Sequence, residues 1–231
     1  MARKIKITAG LSAADFGKLG EEVAAVTAAG ADYIHMDSQG LTDHLAEYAL
    51  IGGPKQVADI RKYTNIPIEV HANVEGVNGL LIDAWADAGA NLIMLPMEHY
   101  FGHKLPFLIQ RMKAKGCKVG LTVSPGAPLD LVYEAIEWAD RLIIYTREIV
   151  GTKGIRPRSV DTVRRARLLL DEVGSPAELA CDGGLTLDNF GPLIEAGADV
   201  LEFSRTIFND PRGIKPAVDD IRAEIARVVG N

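Results

Sequence analysis

The sequence predicts an α/β protein, a closed barrel of eight parallel strands in which each strand is followed by a helix. Short β-branched segments alternate with amphipathic stretches along all 231 residues. No linker interrupts the alternation, and single α/β barrels commonly have about this length, so we expect one domain over residues 1–231 rather than two small ones. An open, doubly wound sheet is the alternative. Residues 11–16 (LSAADF), however, lack the glycine-rich nucleotide turn that such sheets carry after their first strand.

The elements follow from the pattern in order. Helical stretches such as residues 15–30 and 159–174 separate the strands. The phrase Ala-Gly-Ala occurs before three of the strands, with its glycine at Gly30, Gly89 and Gly197. Glycine there can take the left-handed conformation that ends a helix, so these are predicted αβ turns. The predicted strands are residues 4–10, 33–37, 67–73, 91–97, 118–124, 141–148, 178–184 and 200–205.

Charge and composition exclude several classes of partner. The formal net charge is −6 and there is no basic run, so neither nucleic acid nor an anionic membrane is expected to bind. No apolar run approaches about 18 residues, which argues against a membrane span. Cys117 and Cys181 form no spacing pattern, and the N-terminus lacks the apolar region of a signal peptide. We therefore expect a cytoplasmic protein.

Strand alternation predicts which side chains line the barrel. On three strands one face is apolar and should contact the helices, while the other carries polar side chains and should face inward. Active sites of such barrels lie at the carboxyl ends of the strands, so His35, Asp37, His71 and Asp182 are expected to converge there. The inward sets are Tyr33, His35 and Asp37 on the second strand, Glu69, His71 and Asn73 on the third, and Glu178, Ala180 and Asp182 on the seventh.

Two histidines and two aspartates at strand ends predict a site for a divalent metal. The other interpretation is that each histidine is a hydrogen-bonded interior residue, as most single strand histidines are. A second metal site at Glu98, His99 and His103 is less favoured, because these residues follow the fourth strand in a loop.

Four motifs resemble the ribulose-phosphate 3-epimerase family, in the same order and spacing. Residues 11–16 are similar to the family's opening LSADF segment, residues 29–37 to its HxD strand, residues 66–75 to its VHLMIE strand and residues 180–189 to its EVDGGVN strand. The similarity extends from about Leu11 to Phe208 and so covers nearly the whole chain. It implies a TIM barrel of the ribulose-phosphate-binding type, a homo-oligomer and a small sugar phosphate as ligand.

The resemblance also implies an activity, an isomerase that epimerises a ketose phosphate at C3, nominally D-ribulose 5-phosphate to D-xylulose 5-phosphate. It implies that His35, Asp37, His71 and Asp182 bind the metal and that Asp37 and Asp182 act as acid and base. Moving a weakly acidic proton from one face of the carbon to the other needs two proton-transfer groups beside a planar enediolate, whose charge the metal would stabilise. Zinc is the preferred metal; iron(II), manganese and cobalt are alternatives, since His/Asp sets accept them all.

The chain departs from the family pattern around the predicted substrate. The amides of Gln39 and Asn73 stand in place of the family's methionines, and one extra alanine in LSAADF leaves the register of Ser12 open. The family's NPGFGGQ phosphate loop is replaced by residues 146–154, and its AGSAIF segment by residues 203–208. Glycine backbone is what allows close approach to an anion, so its loss weakens that mode of binding.

Cationic side chains could replace the lost glycines. Arg147, Lys153 and Arg205 lie in the same region and can bind phosphate or carboxylate. Pairing of Arg147 with Glu148 or with a barrel carboxylate, and solvation of Lys153, are at least as compatible with the sequence as ligand binding. The predicted substrate contacts are Ser12, His71, Asn73, Arg147, Lys153, Gly183, Gly184, Ser204 and Arg205.

Two other functions remain open. One keeps the metal and enediolate chemistry but acts on a different ketose phosphate or a sugar acid, as the altered loops suggest. The other is a non-catalytic barrel that binds a sugar phosphate, which the intact set of paired bases disfavours. A Schiff-base aldolase is disfavoured as well, because Lys55 and Lys153 lie outside the predicted strands.

Overall fold

The computed structural model describes residues 4–39, 51–74, 76–100, 102–147 and 154–230, which form one closed barrel of eight parallel strands. Each strand pairs with its neighbours in chain order, and the last strand pairs with the first. The predicted fold class is therefore confirmed. The strands are β1 (Lys6–Gly10), β2 (Tyr33–Gln39), β3 (Ile68–Asn73), β4 (Leu92–Pro96), β5 (Lys118–Val123), β6 (Arg141–Tyr145), β7 (Glu178–Asp182) and β8 (Val200–Phe203).

Helices surround the barrel, with one exception to the predicted alternation. Between β5 and β6 there are only two short 3-10 turns, Leu129–Val132 and Ile136–Trp138. No helix in the described part of the chain is long and apolar enough to span a membrane. The helices are α1 (Leu19–Ala29), α2 (Pro54–Ile60), α3 (Gly79–Asp87), α4 (Lys104–Ala114), α5 (Ser159–Glu172), α6 (Gly191–Glu195), α7 (Arg205–Phe208) and α8 (Ile214–Val229).

The three predicted Ala-Gly-Ala turns are present. Gly30, Gly89 and Gly197 have φ angles of 96°, 103° and 118°. At the end of α1, the Gly30 N–H donates to the carbonyl oxygens of Thr27 and Val26. This left-handed ending turns the chain back toward the amino end of the next strand.

The outer and inner faces of the strands pack in two separate cores. Outward-facing side chains such as Ile34, Met36 and Val70 pack with the helices in one large apolar cluster. Inside the barrel, a smaller apolar layer lies beside polar and charged side chains. This interior layer consists of Leu92, Met94, Ile143, Ala180 and Val200. The polar groups of the interior are thus held in a dry, closely packed frame.

Candidate metal centre

Four polar side chains meet inside the barrel near the carboxyl ends of three strands. His35 and Asp37 come from β2, His71 from β3 and Asp182 from β7. One ligand atom from each lies within 4.8 Å of the other three. Asp37 is in register with His71 on the neighbouring strand, whereas Asp182 reaches them across the barrel interior. The structure thus brings together the four residues that strand alternation placed on the inner face.

The four ligand atoms alternate in charge around a small ring. Asp37 Oδ1 lies 3.4 Å from His35 Nε2 and 3.5 Å from His71 Nδ1. Asp182 Oδ2 lies 3.8 Å from His35 Nε2 and 3.4 Å from His71 Nδ1. Ligand atoms placed tetrahedrally at about 2.0–2.1 Å from an ion are roughly 3.3 Å apart. The four His–Asp separations are close to this value, and all four ligand atoms lie within 4.8 Å of one another, so the residues are spaced to hold a divalent ion between them.

Buried polar atoms without hydrogen-bond partners support the same conclusion. Within the described residues, His71 Nδ1, His71 Nε2 and Asp182 Oδ2 are buried and accept or donate no hydrogen bond. Such atoms are uncommon in folded proteins, because their desolvation is not compensated. A cation held by His71 Nδ1 and Asp182 Oδ2 would compensate two of them. Among the residues that the structure describes, this is the single group of three or more side chains with metal-ligand geometry.

The charges of the site are strongly coupled. Burial alone would lower the pKa of His35, but Asp37, Glu69 and Asp182 raise it well above its usual value. Burial likewise opposes the rise in the pKa of His71, which Asp182 and Asp37 cause. Although burial raises the pKa of each aspartate, the two imidazoles hold both pKa values below the usual range. A divalent ion would take the place of the imidazole protons that balance these carboxylates.

A buried ion-pair network that the sequence did not reveal lies beside the site. Glu69 accepts from Arg141 through Oε2, and Arg141 also donates to Glu178 over 2.7 Å. Lys6 donates to the other oxygen of Glu178, and the Arg141 guanidinium carbon lies 4.2 Å from the centre of the Tyr33 ring. Alternation placed the two glutamates and Tyr33 inside the barrel. Nothing in the local pattern indicated that Arg141, the first residue of β6, would join them.

Glu202 on β8 is a second residue that sequence reasoning missed. Its carboxyl is buried, and burial together with the charge of the nearby Asp182 raises the pKa of Glu202 well above its usual value. A β-carbon added at Gly10 would collide with Glu202 Oε1, so glycine on β1 leaves room for this carboxyl. Alternation along β8 could have predicted its position, because the apolar Leu201 and Phe203 face outward and Glu202 between them must face inward.

Several predicted substrate contacts lie together at the mouth of the barrel. Ser12 Oγ is 2.9 Å from Ser204 Oγ, which also accepts from the Ala13 N–H over 3.0 Å. Arg205 follows at the exposed start of α7. On the other side, Asn73 ends β3 opposite Gln39 of β2. Ser12 is thus adjacent to the β8 loop in spite of the extra alanine.

The loop after β7 packs against the loop after β6. Gly183 and Gly184 have φ angles of 98° and 79°. A β-carbon on Gly183 would lie 2.8 Å from the Arg147 Cβ, and one on Gly184 would lie 2.5 Å from the Gly154 carbonyl oxygen. Arg147 is therefore placed beside Gly183. Lys153, also predicted to contact the substrate, lies outside the described residues.

Fold and site together define a class, the (β/α)8 barrels with a metal-competent centre at the carboxyl ends of the strands. The chain matches the model of the ribulose-phosphate 3 epimerase family over residues 6–208. It belongs to that family. The predicted family and the predicted class of enzyme, an isomerase, are thereby confirmed.

Relatives named as ribulose-phosphate 3-epimerases agree with this assignment. The ribulose-phosphate 3-epimerase of Escherichia coli (strain K12) is 32% identical over 224 residues, which cover 96% of each chain. Ribulose-phosphate 3-epimerase 2 of Cupriavidus necator is 34% identical over 214 residues, covering 90% of this chain and 86% of that one.

Two solved barrels resemble the fold at much lower identity. The 3-hexulose-6-phosphate synthase from Salmonella typhimurium has a TM-score of 0.75 at 16% identity and covers 97% of this chain and 100% of its own. KGPDC from Streptococcus mutans has a TM-score of 0.74 at 14% identity, with 97% of this chain and 98% of that one covered. At these identities the likeness concerns the fold alone.

Proposed function

We propose that the protein is a metal-dependent epimerase that interconverts D-ribulose 5-phosphate and D-xylulose 5-phosphate by proton transfer at C3. The observation that carries this proposal is the convergence of His35, Asp37, His71 and Asp182 in a chain of the ribulose-phosphate 3-epimerase family. Family membership supports the reaction, and the cluster supports its dependence on a divalent ion.

In the proposed mechanism the two aspartates move the proton. Asp37 and Asp182 come from β2 and β7, on different sides of the barrel interior, so they can approach the substrate carbon from different sides. One, as the carboxylate, removes the C3 proton to give a planar enediolate, and the other, carrying a proton as the carboxylic acid, returns it to the opposite face, so that the two exchange protonation states in each turnover. A bound divalent ion would supply Lewis-acid stabilisation of the negative charge on the substrate oxygens. His35 and His71 complete the ligand set without adding negative charge.

The remaining predicted contacts would bind the substrate at the mouth. Their distribution supports a phosphate bound near Ser204 and Arg205 and near the facing Gly183, Gly184 and Arg147. Ser12, His71, Asn73 and Lys153 complete the proposed set. Guanidinium groups can bind a phosphate in a bidentate manner, which would compensate for the missing glycine loop.

A different ketose phosphate, or a sugar acid, is the second candidate substrate. Gln39 Oε1 and Glu98 Oε2 are buried and have no hydrogen-bond partner among the described residues. Gln39 is the last residue of β2, the strand that carries His35 and Asp37, so its acceptor oxygen could be satisfied by a substrate with an additional hydroxyl group. A barrel that binds a sugar phosphate without catalysis is the least favoured alternative.

Proton NMR in heavy water tests the proposal. Zinc-loaded protein should incorporate deuterium at C3 of D-ribulose 5-phosphate and form D-xylulose 5-phosphate. Chelation of the metal should abolish both. If a zinc-binding protein gives neither, this substrate is excluded and the same assay is run across other ketose phosphates and sugar acids. Unchanged exchange and epimerisation in Asp182→Asn would exclude the two-base mechanism.

Three further features stay predictions of this proposal. Zinc is expected as the native metal, with iron(II), manganese and cobalt as alternatives, and metal analysis of protein purified without added metal decides among them. A homo-oligomer is expected, and analytical ultracentrifugation measures its size. A cytoplasmic location is expected and can be checked by cell fractionation.

A further inference from the structure

We propose that Glu69 is a positioning residue that fixes the tautomer of His35, with the proton on Nδ1 and the lone pair of Nε2 directed into the metal centre. This inference rests on the proposed metal site. His35 Nδ1 lies 3.0 Å from Glu69 Oε1, and His35 Nε2 is the ring atom that faces Asp37 and Asp182. A carboxylate can only accept, so Nδ1 must donate to Glu69. Nε2 also lies 3.4 Å from Asp37 Oδ1, and a metal ion would bind Nε2 in place of the proton that it donates to that carboxylate.

Glu69 is itself held in one orientation. Its Oε2 accepts from Arg141 Nη1, which leaves Oε1 directed at His35. Arg141 is fixed in turn by the bond from Nη2 to Glu178 and by the face of the Tyr33 ring. Glu69 and Arg141 are 3% and 1% exposed, so water does not compete for these bonds. The orientation of His35, which lies on β2, therefore depends also on Arg141 of β6, which holds Glu69, and less directly on Glu178 of β7, which holds Arg141.

The second histidine has no such support. His71 directs Nδ1 toward the two aspartates, and its buried Nε2 has no hydrogen-bond partner among the described residues. The two imidazoles are therefore not equivalent. His35 is oriented before an ion arrives, whereas the orientation of His71 depends on the ion and the carboxylates. Partners of this kind, behind a metal-bound histidine, generally raise affinity for the metal.

Metal affinity of Glu69→Gln tests the inference without reference to catalysis. The glutamine amide can present either a donor or an acceptor to His35 Nδ1, so it no longer dictates the tautomer. We expect Co²⁺ and Zn²⁺, titrated in competition with a chromophoric chelator, to bind about 10–100-fold more weakly than to the wild type. The absorption spectrum of bound Co²⁺ should also change, because the field of one ligand is altered.

Glu178→Gln is the matched control. It makes the same isosteric change on the other side of Arg141 and leaves the contact between Glu69 and His35 in place. Both variants should lose thermal stability, since each disturbs the same network, but Glu178→Gln should lose much less metal affinity, because Arg141 keeps its bond to Glu69 and its contact with the Tyr33 ring. Equal affinities of Glu69→Gln and the wild type would overturn the positioning role, as would equal losses in the two variants.

A second measurement decides the case if Glu69→Gln does not fold. Long-range ¹H–¹⁵N correlation spectra of zinc-loaded wild-type protein identify the protonated nitrogen of each histidine. The inference requires a slowly exchanging proton on His35 Nδ1 and coordination through Nε2. A proton on Nε2 contradicts it. A wild-type protein that binds neither ion overturns the proposed metal site instead, so the two failures are distinguishable.

Discussion

At the scale of single residues, the side chain of Glu202 constrains which residue can stand at position 10. Burial and the charge of the nearby Asp182 raise the pKa of the Glu202 carboxyl, which occupies the space that a side chain at position 10 would need. Gly10 itself has a φ of −82°, which any residue can adopt. The requirement for glycine there is therefore one of volume, set by Glu202, and not one of backbone conformation.

Gly10→Ala should consequently reduce stability by overpacking, by roughly 1–3 kcal/mol. Because the collision is with Glu202, the double variant Gly10→Ala/Glu202→Ala should lose less than the sum of the two single variants. Chemical denaturation of the four proteins of this double-mutant cycle measures the coupling. Additive losses would show that Glu202 does not occupy this space in solution.

At the scale of elements, the junction of β8 and α7 faces the loop after β1. Ser204 contacts Ser12 and Ala13, and Arg205 begins α7 beside them. The sequence indicated that Ser204 and Arg205 follow the eighth strand where the resembled family has glycine. It did not indicate that the two serine hydroxyls would be in direct contact, because that depends on how the first and last strands close the barrel.

Arg205→Ala should weaken binding of a phosphorylated substrate. We expect KM to rise roughly tenfold with little change in kcat, since the guanidinium would bind the phosphate equally in the ground state and the transition state. Steady-state kinetics at two ionic strengths measure this. Arg212→Ala is the control, because Arg212 is exposed and pairs with Asp210 and Asp220. An unchanged KM for Arg205→Ala would remove Arg205 from the binding site.

The connection between β5 and β6 is the element that differs from the prediction, because it contains no α-helix. Repetition of strand and helix predicted a helix in every connection, and it was wrong after β5, where the chain forms two short 3-10 turns. The connection between Val123 and Arg141 is short, and packing of its apolar side chains Leu129, Val132 and Ile136 against the barrel prevailed over the repeat. The eight strands were predicted more accurately, because buried β-branched runs bounded by glycine turns are a strong local signal.

At the scale of the whole molecule, Asp32 joins the first two strands to the last helix. Its Oδ2 accepts from the Ile7 N–H over 2.8 Å and from Arg222 Nη2 over 2.6 Å. Burial alone would raise the pKa of Asp32, but the bonds from Ile7 and Arg222 lower it. The ionised carboxylate thus stabilises the closure of the barrel near its amino end.

The stability that Asp32 contributes should depend on pH. Because the folded pKa lies below the unfolded value of about 3.9, the contribution is present above that pH and is lost as pH falls through the folded pKa. At pH 7, Asp32→Asn should lower the free energy of unfolding by roughly 1–2 kcal/mol, allowing for partial exposure.

Urea denaturation of the wild type and Asp32→Asn between pH 7 and 3 follows this difference, which should shrink below about pH 4. Asp161→Asn is the comparison, because the exposed Asp161 pairs only with Arg164 among the described residues. A difference for Asp32→Asn that does not vary with pH would contradict the assigned role of its charge.

The sequence by itself determined the alternation of strands and helices, the glycine turns and the inward placement of His35, Asp37, His71 and Asp182. These features follow from local periodicity, which is encoded by neighbouring residues of one segment. Closure of the barrel then brought the four side chains together, because inward-facing side chains at one end of a closed barrel share a small volume.

The tertiary structure alone decided which side chains support the metal centre. Glu69 and Arg141, which form an ion pair, are 72 positions apart in the sequence. Glu202 lies near Asp182 and fills the space beside Gly10. Such contacts depend on which strands face each other across the barrel, on the register between them and on the rotamers that fit the interior. None of these is set by a local pattern, since they arise only when all eight strands close around a common core.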